Sequence, residues 1–308
     1  MVKSYVYKFL CFIGFSLVIL GVGLHLSPHA LFAGGELDRD SAFTHEYNYD
    51  WHVPEGYFAC TNWNILGVIV RHVDVNLGHN RHAQISMSAR DITTATNRFR
   101  DLETTLNNMS NGQMTANVTT IIINTPLTHV SPTFTTMGTN GYAPRPPQLT
   151  TLVSAYVDPA DFDHIMFFLR TQCVDARFSI PTAWAGLYQG IHNGTHFSQV
   201  LFSVSRNCTW HTNAIFPERI LVHEFLHGLE RVSWNRGITL PSSIDSPRSL
   251  YGYGTSRLEL ARFYRDFMNR NIRTANGNIG LVSISYKILR PVTEWRCFTS
   301  VVDKNQNA

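Results

Sequence analysis

Residues 216–230 read Phe-Pro-Glu-Arg-Ile-Leu-Val-His-Glu-Phe-Leu-His-Gly-Leu-Glu, and no other stretch of the 308-residue chain restricts the fold as tightly. Pro217 suits the first turn of a helix and Glu218 complements its dipole, so a helix starts here. His223 and His227 are four apart, which puts both imidazoles on one face about a turn apart, a spacing at which they can share one zinc ion. Glu224 sits beside them, where a carboxylate can take a proton from a metal-bound water and pass it to a leaving amine. Ile220, Leu221, Phe225, Leu226 and Leu229 are apolar, as a helix buried behind a metal requires.

The chain upstream predicts what covers that helix. Asn64-Ile65-Leu66-Gly67-Val68-Ile69-Val70, within Trp63 to Val75, is short and β-branched and reads as a buried strand. Between Asp91 and Met109, Ile92, Ala95, Phe99, Leu102 and Leu106 recur at three and four, and Asn111-Gly112 stops the helix. Asn117 to Val130 reads as a second strand. Six Pro and Gly residues between Ser131 and Gln148 predict a long irregular loop. A third strand is expected at His164 to Leu169, then a loop with Trp184, Gly186 and Gly190, then a fourth strand at Phe197 to Ser205. Ser256 to Met268 reads as a later helix. The class is α+β.

Charged residues make up 15% of the chain and the net charge of +3 is spread thinly, so no clustered basic surface suggests a nucleic-acid partner. Lys3 and Lys8 precede an uncharged stretch from Phe9 to Leu26, which predicts a targeting segment over residues 1–33. It reads as a signal peptide or as an uncleaved signal anchor, so the protein is expected to be secreted or, alternatively, membrane-anchored through that segment alone. Residues 34–60 read as an N-terminal extension, 61–300 as one domain and 301–308 as a tail. Outside the targeting segment, Cys60, Cys173, Cys208 and Cys297 predict two disulfides in an oxidising compartment, with Cys173 and Cys208 favoured as a pair because they flank the fourth strand.

Residues 220–229 resemble the zinc-binding helix of the zincin metallopeptidases, and the upstream element order is similar to theirs. Asp161-Phe162-Asp163-His164-Ile165-Met166 and Tyr251-Gly252-Tyr253 also resemble segments of uncharacterised exported bacterial zincins. The resemblance implies a zinc-dependent endopeptidase acting on extracellular proteins or peptides, with Zn2+ held by His223 and His227 and Glu224 as general base. It also implies a zincin-like mixed sheet with the fourth strand as its edge strand, antiparallel to bound peptide, an active-site helix and a C-terminal helical subdomain. Glu230 and Ser233 stand where metzincins need Gly and His or Asp, so the gluzincin arrangement is closer, in which a Glu from a later helix completes the site. Glu259 is then the expected third ligand, with Asp266 and Glu230 as alternatives; Glu230 reads as a support behind the ligands or as a surface charge. A secreted zincin-fold binding module without turnover is the alternative function, disfavoured because such a module has no need of Glu224.

Overall fold

A computed structural model describes residues 55–78, 81–134, 140–170, 186–202, 217–238, 240 and 243–291. The targeting segment, most of the N-terminal extension, Trp184, Cys173, Cys208, Cys297, His211 and the C-terminal tail lie outside them. All described residues fall in one unit spanning residues 50–308.

A five-stranded sheet forms the centre. Its members are β2 (Asn62–Val70), β5 (Thr115–Ile123), β8 (His164–Arg170), β9 (Gly186–His192) and β10 (Thr195–Phe202), in the order β5-β2-β8-β10-β9. The first four neighbours run parallel and β9 pairs antiparallel with β10, so the sheet is mixed and the molecule is α+β. A strand covered on both faces reads as a near-continuous apolar run, and β2 does. Ile65 and Ile69 point to one face, Leu66, Val68 and Val70 to the other.

The first face carries α1 (Ala89–Met109) and α3 (Pro217–Asn235). Ser88 and Asp91 form a reciprocal capping box at the start of α1, and its buried stripe is Ala95, Phe99, Leu102 and Leu106. Gly67 of β2 lies under Phe99; a methyl there would sit 2.5 Å from the ring, so only glycine allows this approach. The second face is covered by a hairpin, β3 (His72–Gly78) with β4 (Arg81–Ser86), and by α2 (Pro146–Ser154). Val73, Val75, Ile85, Leu149 and Val153 pack there against Ile165 and Phe167.

Several expectations are corrected. The run from Trp63 to Val75 is two strands, broken at Arg71, and the second strand ends at Ile123. The described residues between Ser131 and Gln148 are not one irregular loop: β6 (Ser131–Phe134) pairs antiparallel with β7 (Asn140–Ala143), and Pro146 opens α2. Pro132 lies in a two-stranded ribbon and Pro146 and Pro147 in a first helical turn, where proline is tolerated. The strand at 197–205 is not the edge. It is β10, starting at Thr195 and enclosed between β8 and β9, and the edge is β9, in the segment expected to be a loop. Gly186 and Gly190 gave that segment the look of a turn.

Beyond α3 the described chain has one α-helix, α4 (Arg257–Met268), with β11 (Ile272–Thr274) paired to β12 (Gly277–Ile279). The last strand, β13 (Ile288–Pro291), pairs with β1 (Tyr57–Cys60), so the end of the N-terminal extension is tied into the domain. Cys60 is buried. No helix among the described residues is long and apolar enough to cross a membrane.

Candidate metal centre

α3 begins at Pro217 as its sequence dictates and buries Leu221, Val222, Phe225, Leu226 and Leu229 against the sheet and α1. The opposite side presents the two histidines. Their Nε2 atoms are 3.2 Å apart and the rings nearly perpendicular. The third group beside them is Asp245, in the loop after α3: its Oδ1 is 3.3 Å from His223 Nε2 and its Oδ2 3.6 Å from His227 Nε2. These are the donor atoms a metal ion would need, and among the described residues they form the one group of at least three His, Cys, Asp or Glu that converges in this way.

The donor set fits zinc. Bonds of about 2.0–2.1 Å in a tetrahedron hold ligand atoms roughly 3.3 Å apart, which is the separation seen here. Each imidazole is also fixed from behind. Glu230 Oε2 accepts from His227 Nδ1 at 2.8 Å, and the Tyr264 hydroxyl of α4 lies 3.1 Å from His223 Nδ1. With a proton on each Nδ1, both Nε2 lone pairs face the common point, as ligand histidines require.

Glu230 is fully buried, and its other oxygen accepts from the backbone N–H of Ile244 at 2.6 Å. One carboxylate therefore orients His227 and pins the residue next to Asp245. This is the supporting role considered for Glu230, and burial excludes its being a surface charge. Glu259 is placed elsewhere: it accepts from the Gly254 N–H at 3.3 Å and pairs with Arg262 at 3.7 Å. Asp266 accepts from the Tyr253 hydroxyl at 2.7 Å. The structure brings Asp245, not Glu259 or Asp266, to the two imidazoles. Between Glu230 and Glu259, Asp245 is the sole acidic residue, and that was the one signal available in the sequence.

Electrostatics follow from this packing. Burial works against charge on His227, but Asp245, Glu230 and Glu224 outweigh it and push its pKa up to about 10. Hydrogen bonds to His223 and then His227 hold the Asp245 carboxyl well below its ordinary range. Glu224 is buried, and desolvation pushes its pKa up to about 7 against the pull of the two histidines. A carboxyl titrating near neutrality is suited to accept and return a proton.

The edge strand holds Glu224 in place. The Tyr188 backbone N–H donates to its carboxylate. Gly186 leaves the space it occupies: a methyl there would lie 2.2 Å from Oε1. Below, Tyr188 Oη is 2.8 Å from His196 Nδ1, and His164 Nε2 is 2.7 Å from Ser198 Oγ, which donates to the Glu224 carbonyl at 3.4 Å. His196 is thus a buried support and His192 lies partly exposed at the end of β9. Sequence reasoning missed Asp245, Tyr188, Gly186 and Tyr264. Comparison of the chain with protein-family models, with curated proteins and with solved structures gave no match.

Proposed function

We propose that the protein is a zinc-dependent endopeptidase of zincin type, with His223, His227 and Asp245 as the metal ligands. The observation that carries the reading is the conjunction at one point of two imidazole Nε2 atoms and a carboxylate, with the buried Glu224 beside them. Bound zinc would supply Lewis acidity toward a carbonyl and make water a stronger acid. Glu224 takes the proton from the attacking water and delivers it to the departing amine; its desolvated carboxyl holds that proton near neutral pH. Tyr188 and Gly186 aim that carboxylate, and Glu230 and Tyr264 aim the imidazoles.

The substrate is an extended peptide of an exported or extracellular protein. Strand β9 supports this, because it is antiparallel to its neighbour, lies at the sheet edge and passes the base. A peptide adding to that edge would be presented beside Glu224. The N-terminal residues support export, by a signal peptide or an anchor.

The test is zinc content together with cleavage of a diverse peptide library by the full-length protein and by Glu224→Gln. Near-stoichiometric zinc in both, with cleavage in the wild type alone, is the expected result. Zinc without cleavage in either would favour the binding module, and a protein that takes up no zinc would sink both readings.

A further inference from the structure

Away from the metal centre, α4 borders a cavity of about 530 Å³ lined by Tyr251, Tyr253, Arg262, Arg265, Asp266 and Arg273, among others. Tyr264, which touches His223, points to the buried side of the helix, whereas Arg262, Arg265 and Asp266 follow the i, i+3, i+4 spacing of another face. The cavity is therefore a separate site.

Its charge is arranged in one direction. Three guanidinium groups meet the Asp266 carboxylate in the lining, and Glu259 pairs with one of them from beside it, so cations exceed carboxylates by one. Asp266 is spent on organising them. One oxygen takes the Tyr253 hydroxyl at 2.7 Å and Arg262 Nε at 3.6 Å, the other Arg265 Nε at 3.6 Å. The Arg262 guanidinium rests 5.5 Å from the centre of the Tyr253 ring and also pairs with Glu259. Among the described residues nothing bonds the terminal nitrogens of Arg265 or the guanidinium of Arg273.

We propose that this cavity binds a tetrahedral oxyanion carried on a small organic body, a phosphate or sulfate monoester. Guanidinium forks match the oxygens of such groups in pairs, and the terminal nitrogens of Arg265 and the guanidinium of Arg273 are the forks left to hold them. The volume exceeds what an inorganic ion fills and lies in the range of small-molecule pockets, with the Tyr251 and Tyr253 rings as walls for the remainder of the ligand. The site does not depend on the peptidase reading.

Calorimetric titration of the full-length protein at low salt, with glucose 6-phosphate, glucose 6-sulfate, inorganic phosphate, inorganic sulfate and glucose, tests it. At least one ester is expected to bind more tightly than its inorganic ion, with glucose silent; the better ester identifies the source of the oxyanion. Arg265→Gln and Arg273→Gln should each weaken that binding about tenfold without moving Tm, since both side chains are exposed. Glu224→Gln should bind as the wild type does, which separates this site from the metal centre. Failure of both esters to bind, or binding by both arginine variants as tight as by the wild type, would overturn the proposal.

Discussion

Gly186 on the edge strand faces Glu224 so closely that a methyl on its α-carbon would lie 2.2 Å from the carboxylate oxygen Oε1. Two elements that are separate in sequence, β9 and α3, thereby share one volume. Gly186→Ala should displace the carboxylate and lower peptidase turnover by roughly 100-fold, the usual cost of about 1 Å of misplacement. Zinc content should be unchanged, since no ligand atom is involved. Turnover equal to wild type would mean that the carboxylate has no fixed position in catalysis.

Asp245 and Glu259 are separated by a direct comparison. Asp245→Ala should lose zinc affinity by more than the about 10–100-fold that attends changes behind the ligands, and Glu230→Gln should fall within that range. Glu259→Ala should leave affinity as it is, because its carboxylate is occupied by Gly254 and Arg262. Competition with a chromogenic chelator measures all three. A large loss in Glu259→Ala with none in Asp245→Ala would restore the sequence-based assignment.

Acid sensitivity should arise from the histidines below α3. Burial, with repulsion from Arg231 and Arg236, lowers the His196 pKa from its ordinary 6.5 to about 4. Burial and then His196 hold His164 well below its ordinary value. Between pH 6.5 and 4 the unfolded chain binds protons that the folded chain refuses, so stability is lost as pH falls through that window. His196 alone accounts for about 3 kcal/mol. Urea midpoints from pH 7 to pH 4 should therefore fall less steeply for His196→Gln than for the wild type; parallel curves would count against this origin.

Gly67→Ala places a methyl 2.5 Å from the Phe99 ring in the packed layer between β2 and α1. A loss of about 1–3 kcal/mol is expected from such overpacking, and the second change Phe99→Leu should recover part of it. Chemical denaturation of the single and double variants reads this coupling.

The parts of the fold legible in the sequence are those whose signals are local. α1 appears as an apolar stripe closed by Asn111-Gly112, and it is found at Ala89–Met109. α3 starts at the expected Pro217, and Ser256 caps α4 with its side chain on the Glu259 N–H. The edge strand was hidden because β9 contains two glycines, which read as breakers. One of them, Gly190, has φ of +100° where the register with β10 shifts, and the other makes room for Glu224.

The divide at the candidate site has the same origin. Residues one helical turn apart obey a spacing rule, so the pairing of His223 with His227 and the place of Glu224 next to them were determined by the sequence alone. Asp245 obeys no such rule. It lies in a loop, and it reaches the imidazoles because Glu230, buried at the end of the same helix face, holds the Ile244 N–H with one oxygen and His227 with the other. Likewise Tyr264 reaches His223 only through the packing of α4 on α3. Helical periodicity is written along the chain, whereas a contact made by a loop or by a second helix depends on how the whole core closes, and that was decided by the tertiary structure.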